Sequence, residues 1–349
     1  MWILTLLVFI LILGLIVFVH ELGHFLWAKK FGVYIYEFSI GMGPVIYTKK
    51  GKDGINYNIR AFPIGGFVSM AGEVYEDDKD VPKERCLCNK PVWQRVIVMA
   101  AGVVNNFLLA LVILFIMAFI WGSHSLTPTI DAAMDGYPMA EAGVVKGDVI
   151  VSINNHKVTY WDEAQILLYY KNESNAYDFR IKHTDDTIDD YKITPKEETG
   201  EDGTARKVFG ISINQDETVG LFNKIKYAFE KFAAIVSSML LTIWGLITGK
   251  ISLNAMSGPV GIYNVVGESI SYGLYSVIYL IAYLSINVGV INILPFPAFD
   301  GGRIFFLLIE KIKGSPVNQK FENTCHTIGF ILLMILIIYI TIKDIINLF

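Results

Sequence analysis

The 349-residue chain has few cysteines and no excess of basic charge. Its three cysteines, Cys86, Cys88 and Cys325, provide no disulfide framework. Cys86 and Cys88 could form half of a metal or redox site, but no second pair lies near them, and we interpret them as free thiols. The formal net charge is −4, which gives no indication of nucleic-acid binding.

The features of a cleavable signal peptide are also missing. No basic segment precedes the apolar run Met1–Val19, and no small-residue cleavage site follows it. We therefore expect this run to be retained as a membrane span that extends to about Leu26. Hydrophobic residues make up 53% of the chain, and the mean hydropathy is +0.47. Soluble domains are less apolar, so the composition predicts an integral membrane protein with a polar portion.

Further apolar runs recur along the chain, and a membrane span needs about 20 such residues. After the first run, the predicted spans are Val96–Trp121, Ser271–Phe299 and Asn323–Ile342. Another run, Phe232–Thr248, is short and follows a basic amphipathic stretch with Lys224, Lys226 and Lys231. From the sequence, this run could either cross the membrane or lie along its surface.

The distribution of basic residues predicts the orientation. Residues 29–95 carry eleven Lys or Arg residues, which is typical of a cytoplasmic loop. Basic residues also flank the third and fourth spans on what should be the same side: Arg303, Lys311, Lys313 and Lys320. The N-terminus and the polar region 122–228 are then expected to face outward.

The sequence His-Glu-Leu-Gly-His follows the first apolar run directly. His20 and His24 are four residues apart, so on a helix both imidazoles lie on one face and can bind one metal ion. Glu21 lies beside them and can accept a proton from an attacking water. Ionisable groups at membrane depth are costly and usually indicate function.

A catalytic zinc usually has three protein ligands and one open position. His124, His156 and His183 lie in the predicted outer region, and His326 is interpreted as a polar residue at the start of the fourth span. Asp300 is the better candidate, since it follows the third span in the sequence Asn-Ile-Leu-Pro-Phe-Pro-Ala-Phe-Asp-Gly-Gly. The alternative is that Asp300 caps a helix over residues 303–313.

A shared ion would also restrict the topology. If Asp300 is a ligand, it must lie at the same depth as His20 and His24. Run 232–248 then does not cross completely, because a full crossing would place Asp300 about 30 Å from the histidines. The result is four spans with both termini outside.

Two other segments have recognisable patterns. Residues 33–70 predict a β-hairpin with glycines near its ends, which is either an ordinary loop or a sheet whose free edge could pair with a peptide. Residues 136–155 form a Gly-rich turn, a strand over Val149–Ile153 and a tight turn; a helix near 162–170 and strands near 177–182 and 208–213 follow. The second pattern resembles a PDZ domain of bacterial proteases. Such a domain would either bind peptides or serve only as a steric block or spacer.

The chain resembles the site-2 protease family, in its bacterial regulator of sigma-E protease form. The resemblance is carried by the histidine pair, the PDZ-like region and the sequence from Asn292 to Gly302. The resemblance implies that His20, His24 and Asp300 bind Zn²⁺ and that Glu21 is the catalytic base. It also implies that Asn287 and Asn292 hold the substrate or the transition state, and that the hairpin is a membrane-dipping β element.

The chain departs from the family pattern in two places. Phe299-Asp300-Gly301 replaces the usual Leu-Asp-Gly, which keeps the ligand. Ala101-Gly102-Val103 replaces the usual Ala-Gly-Pro, which leaves the role of Asn106 open. In addition, residues 122–228 have room for one PDZ domain only.

The predicted fold is a polytopic α-helical membrane protein with four transmembrane helices, a cytoplasmic-side membrane-associated β-hairpin element and one inserted extracytoplasmic PDZ domain of the α+β class. The expected segments are transmembrane helix 1 with the two histidines (1–27), a cytoplasmic loop with the β element (28–92), transmembrane helix 2 (93–122), the PDZ domain (123–216), an interfacial amphipathic helix and loop (217–270), transmembrane helix 3 (271–299), a cytoplasmic-side helix and loop with the Asp-Gly sequence (300–322) and transmembrane helix 4 (323–346).

The predicted function is that of an intramembrane zinc metalloprotease, which uses a zinc-activated water to cut transmembrane segments. By resemblance, the substrates are single-span membrane proteins such as trimmed anti-sigma factors, or signal-peptide remnants. The expected location is the lipid bilayer of the bacterial inner, or plasma, membrane, with the active site near the cytoplasmic side. The alternative is a non-catalytic membrane PDZ scaffold or a zinc-binding or transport protein. A transporter should carry metal-binding side chains in several spans, whereas the second and fourth spans offer only asparagines and His326.

Overall fold

The computed structural model describes residues 2–73, 80–171, 175–199, 205–214 and 216–346. The chain forms two compact units. The first unit contains residues 1–113 and 256–349, and the second unit contains residues 114–255.

The α-helices follow one another along the whole described chain. They are α1 (Trp2–Lys30), α2 (Val92–Trp121), α3 (Pro138–Glu141), α4 (Trp161–Tyr169), α5 (Leu221–Ile247), α6 (Pro259–Tyr272), α7 (Leu274–Ile293), α8 (Asp300–Lys313) and α9 (Gln319–Ile346). Five of them are long and apolar enough to cross a membrane: α1, α2, α5, α7 and α9. The chain is therefore a multi-pass, mainly helical membrane protein, as predicted.

Helix α1 is almost uniformly apolar and contains no proline. Its buried side chains include Phe9, Ile12, Ile16 and His20, which are spaced by three or four residues and so share one face. The other faces present large apolar side chains such as Leu11, which is 69% exposed. A helix that is apolar on its exposed faces is suited to lipid rather than water.

Small residues allow α1 and α2 to approach closely. A Cβ atom on Gly23 would lie 2.3 Å from the carbonyl oxygen of Ala101. One on Gly102 would lie 2.4 Å from His24 Nε2. Because only glycine fits at both positions, the backbone of α2 lies directly against the histidine-bearing face of α1.

Two long strands, β1 (Ile35–Lys50) and β2 (Asn56–Met70), form the predicted hairpin. Residues 37–40 pair with residues 66–69 on one side and with residues 56–59 on the other. Residues 45–50 pair with residues 56–60. The segment 66–70 therefore lies at one edge of the sheet, and no other strand in the described ranges pairs with it.

The segment before the third span differs from the prediction. Residues 259–270, which we expected in the loop of segment 217–270, and residues 271–272, which we expected to begin the third span, form helix α6. Pro259 occupies its first turn, where a missing N–H is tolerated. Asp344 Oδ2, close to the end of α9, accepts hydrogen bonds from the N–H groups of Gly258 (2.7 Å) and Gly261 (2.9 Å). Because the acceptor for the N-terminus of α6 comes from a distant residue, the local sequence does not predict this helix start.

The third span is also shorter than the predicted 271–299. Gly273, with φ of 98°, separates α6 from α7, and α7 ends at Ile293. Pro295 and Pro297 follow, and neither can continue a helix. The chain then turns directly into α8.

The second unit contains eight of the described strands around a buried apolar core. They are β3 (Ile130–Ala133), β4 (Val149–Ile153), β5 (His156–Lys157), β6 (Tyr177–Lys182), β7 (Ile188–Ile193), β8 (Lys196–Thr199), β9 (Ala205–Val208) and β10 (Ile211–Ile213). The strands predicted at 149–153 and 177–182 are present. The one expected at 208–213 is interrupted at Gly210, whose φ of 77° does not fit an extended strand.

Helix α5 packs against α4 within the second unit. Lys231 Nζ lies 2.8 Å from Asp162 Oδ1, and the hydroxyl of Tyr170 donates to the carbonyl oxygen of Leu241 at 2.5 Å. Phe222 and Trp244 of α5 are exposed. One side of this amphipathic helix therefore packs on the second unit, in part through polar contacts. Its other sides expose apolar side chains.

Candidate metal centre

His20, His24 and Asp300 meet in the first unit, although α1 and α8 are far apart in sequence. The Nε2 atoms of the two histidines are 3.2 Å apart. Asp300 Oδ2 lies 3.1 Å from His20 Nε2 and 3.4 Å from His24 Nε2. Ligand atoms around a tetrahedral zinc with bonds of about 2.1 Å are separated by about 3.4 Å. The three atoms therefore have the spacing that a zinc ion requires.

The second nitrogen of each histidine is held from α2. His24 Nδ1 donates to the carbonyl oxygen of Val98 at 2.8 Å, which leaves the Nε2 lone pair for a metal. His20 Nδ1 lies 3.3 Å from the side-chain amide of Asn106, which is completely buried. The nearest atom of that amide is Nδ2, and Oδ1 has no hydrogen-bond partner within the described ranges. Turning the amide by 180° would bring Oδ1 against His20 Nδ1, which could then donate to it and leave the Nε2 lone pair for a metal.

The donor set fits a divalent cation for an electrostatic reason. Asp300 Oδ2 is buried and receives no hydrogen bond within the described part of the chain. A buried carboxylate oxygen without a donor is costly, and two imidazole lone pairs beside it increase that cost. A bound zinc ion would remove the penalty at all three atoms.

The loop after α7 places Asp300. Phe299 is the N-cap of α8 and Asp300 is its first residue, so Asp300 is not the helix cap that we considered as the alternative. A Cβ on Gly301 would lie 2.2 Å from the carbonyl oxygen of Ile293, and one on Gly302 would lie 2.5 Å from that of Phe296. The two glycines after the aspartate are therefore required for α8 to begin so close to α7.

Glu21 lines the same pocket as the three candidate ligands, with a volume of about 180 Å³. Its wall also contains Phe67, Val68 and Met70 of the sheet edge. A Cβ on Gly66 would lie 3.7 Å from Glu21 Cγ. The free edge of the sheet thus lies next to the candidate base, and the sequence did not show this proximity.

The other predicted site residues are placed differently. Asn287 and Asn292 lie on α7 and are not among the residues that line this pocket. The amide oxygen of Asn287 is buried and has no hydrogen bond within the described ranges. The role of both asparagines stays a prediction.

The histidines that we set aside have other partners. His183 lies 3.0 Å from Asp148 in the second unit. His326 Nδ1 accepts a hydrogen bond from the N–H of Ala298, in the loop before Asp300. His326 is therefore more than a polar residue at a helix end.

Comparison with known proteins agrees with this geometry. The sequence profile of Peptidase family M50 matches residues 8–336. The regulator of sigma-W protease RasP of Bacillus subtilis is 31% identical, over 100% of both chains. A putative zinc metalloprotease of Fusobacterium nucleatum is 38% identical over 99% of this chain and 100% of its own length, and one of Clostridium acetobutylicum is 34% identical over 90% and 89%.

The chain therefore belongs to Peptidase family M50, the site-2 protease family, and it is a zinc metalloprotease. The prediction of an intramembrane zinc protease is confirmed at the level of family, activity and metal.

Proposed function

We propose that this protease cuts transmembrane segments of single-span membrane proteins, with zinc held by His20, His24 and Asp300. The observation that carries the proposal is the convergence of three buried candidate ligand atoms within 3.4 Å, in the second half of a membrane-length helix. A hydrolytic site at that position can reach peptide bonds inside or next to the bilayer.

Bound zinc would make water a stronger acid and polarise the peptide carbonyl. The Glu21 carboxylate accepts the proton of the attacking water and passes it to the leaving amine. The carbonyl oxygen of Val98 holds His24 in the tautomer that metal binding requires, and the Asn106 amide, turned so that its oxygen faces Nδ1, would do the same for His20. By the family resemblance, an amide N–H of Asn287 or Asn292 would donate to the developing oxyanion.

The sheet edge at residues 66–70 is the proposed substrate strand site. In a helical substrate, the carbonyl groups are engaged in internal hydrogen bonds and are shielded from attack. Local unwinding exposes them, and pairing with an edge strand compensates for the lost hydrogen bonds. Because Phe67, Val68 and Met70 line the pocket with Glu21, a peptide paired there would lie beside the catalytic groups.

The direction of the helices supports four spans. His24 contacts Val98 and Val19 contacts Asn105, so α1 and α2 run in opposite directions. Asp300, after the end of α7, meets His20 in the second half of α1, and α6, which leads into α7, contacts the start of α1 through Tyr263 and Trp2. Helix α7 therefore runs parallel to α1.

The chain therefore leaves the first unit along α2, away from the metal centre. It returns near α6, where the hydroxyl of Tyr263 donates to the carbonyl oxygen of Trp2 at the start of α1. A segment that leaves and returns on the same side crosses the bilayer an even number of times. Among the described residues between these points, α5 is the only candidate span, so we place α5 along the outer membrane surface.

The excess of basic residues in loop 29–95 supports a metal centre near the cytoplasmic face of the bacterial inner, or plasma, membrane, with both termini outside. The hairpin supports a membrane-associated β element, because Met42, Ile46 and Phe62 are 54%, 69% and 62% exposed. Residues 123–216 would be the PDZ domain on the outer side.

The proposed substrates are anti-sigma factors that were first trimmed outside the membrane, or signal-peptide remnants. The name of the Bacillus subtilis relative, regulator of sigma-W protease, supports the first class. A PDZ domain would bind or exclude the trimmed ends on the outer side.

Replacing Glu21 with Gln tests the proposed mechanism, with zinc content and cleavage of a single-span reporter both measured in detergent micelles. Zinc should stay at one ion per chain, and cleavage should fall by about 100- to 10,000-fold because the proton acceptor is lost. Glu84→Gln, in the exposed part of the cytoplasmic loop, serves as the control and should change neither. Normal cleavage by Glu21→Gln would refute the assignment of the base.

A further inference from the structure

The loop that carries Asp300 contains an unfavourable backbone conformation. Ala298, two residues before Asp300, has a φ of 92°. A residue with a Cβ atom rarely adopts a positive φ, and such a conformation persists only where the surroundings enforce it. Something outside the loop must therefore hold Ala298 in place.

The contacts that hold it come from α9. The N–H of Ala298 donates to His326 Nδ1 at 3.0 Å. One turn further along α9, a Cβ on Gly329 would lie 2.4 Å from the carbonyl oxygen of Pro297. The helix thus touches two successive residues of the loop, one through a hydrogen bond and the other through close backbone packing.

The hydrogen bond also defines the state of His326. Because Nδ1 accepts, the proton of the neutral ring is on Nε2. Nε2 is buried and has no hydrogen-bond partner within the described ranges. The ring packs against Phe306 of α8, with centroids 5.7 Å apart. Within these ranges, the one hydrogen bond of the ring is thus the bond from the N–H of Ala298.

We propose that His326 is a positioning residue for the metal centre: its Nδ1 atom holds the strained loop so that Asp300 reaches the two histidines of α1. The inference rests on the proposed role of Asp300 as a zinc ligand. His326 itself is outside the cluster of candidate ligands. It acts on the ion only through the backbone between Ala298 and Asp300.

A positioning role and a general packing role of His326 predict different effects of substitution. If the ring only fills space between α8 and α9, its replacement destabilises the fold regardless of the acceptor atom. If the acceptor matters, a shorter amide that places oxygen near the former Nδ1 position should replace it. A residue that tolerates positive φ at position 298 should also reduce the need for the hydrogen bond.

Two amide variants of the full-length protein separate these cases. His326→Asn places its oxygen near the Nδ1 position, and His326→Gln places it about one bond further away. We expect the zinc dissociation constant of His326→Asn, measured by competition with a chelator, to stay within about threefold of the parent value. We expect His326→Gln to bind zinc about 10- to 100-fold more weakly, as for other groups that orient metal ligands.

The third variant is Ala298→Gly. Combined with His326→Gln, it should recover about tenfold in zinc affinity, because glycine adopts the required φ without strain. On its own it should leave zinc affinity nearly unchanged. Thr327→Ala serves as the control on α9, since the described hydrogen bond of that hydroxyl stays within the helix, to the carbonyl oxygen of Asn323.

Asp300→Asn distinguishes the proposed role of Asp300 as a zinc ligand from the inferred positioning role of His326. If it loses zinc while His326→Gln behaves like Thr327→Ala, the proposed ligand stands and the inference about His326 is wrong. Equal losses for His326→Asn and His326→Gln, or no rescue by Ala298→Gly, would also overturn it. If Asp300→Asn keeps zinc, the proposed ligand and the inference both fail.

Discussion

Replacing Gly23 with Ala should disrupt the metal centre without changing a single polar group. The added Cβ would lie 2.3 Å from the carbonyl oxygen of Ala101 and 2.6 Å from its carbon, so the obstacle is the backbone of α2. Ordinary carbon–oxygen contacts begin near 3.4 Å, and the two helices would have to separate locally by about 1 Å.

The consequences follow from the position of this contact. Gly23 is adjacent to His24, and separation of α1 from α2 would stretch the 2.8 Å hydrogen bond from His24 Nδ1 to Val98. Zinc tolerates deviations of only about 0.2 Å in ligand distance. We therefore expect a loss of about 1–3 kcal/mol in stability from overpacking and a zinc affinity about 10- to 100-fold weaker.

The same helix offers a matched control. A Cβ on Gly14 would lie 3.4 Å from the carbonyl oxygen of Pro63, which is an ordinary contact. Gly14→Ala should therefore keep parental zinc affinity and thermal stability. Chelator competition and thermal unfolding of both variants in detergent micelles measure the two effects. If Gly23→Ala binds zinc as well as Gly14→Ala, the close packing of α2 against the histidines is not what orients them.

Three further outcomes are expected. Asn106→Ala should weaken zinc binding about tenfold because His20 Nδ1 loses its partner. Asn106→Asp should bind zinc more tightly than Asn106→Ala, and equal affinities would contradict a role of residue 106 in orienting His20. Asp344→Ala should lower the free energy of unfolding by about 1–3 kcal/mol, measured by thermal unfolding, because two N–H groups at the start of α6 lose their acceptor; an unchanged transition would show that the cap is unimportant. Lys29 Nζ lies 2.6 Å from Asp53 Oδ2 and lowers the pKa of Asp53 to about 2. The ion pair should therefore persist at neutral pH and be lost as the pH falls through 2. Titration of Asp53, followed by NMR, near its ordinary pKa of about 4 would contradict this.

The candidate ligand pair could be predicted from the sequence because both histidines lie on one helix, where their spacing fixes their geometry. Asp300 was harder, since helix capping explained it equally well. It became a candidate ligand because a catalytic zinc needs a third ligand and because two prolines end the third span just before it. The structure places Asp300 Oδ2 within 3.4 Å of both imidazoles.

Contacts between distant segments could not be predicted in this way. The carbonyl of Val98, the cap that Asp344 gives to α6 and the hydrogen bond of His326 all join residues more than 25 positions apart. Each depends on how helices pack, and no local pattern encodes that packing. For the same reason α6 was predicted as a loop, because its N-terminal cap comes from α9.

X-ray absorption spectroscopy of an Asp300→Cys variant loaded with zinc tests the central claim most directly. A cysteine at position 300 that binds the ion adds one sulfur scatterer at about 2.3 Å, which nitrogen and oxygen ligands at about 2.0–2.2 Å cannot imitate. The parent protein, with Cys86, Cys88 and Cys325, should show no such scatterer. We predict one sulfur ligand in the variant and none in the parent. A zinc-loaded variant with an unchanged shell of nitrogen and oxygen would show that residue 300 does not bind the metal.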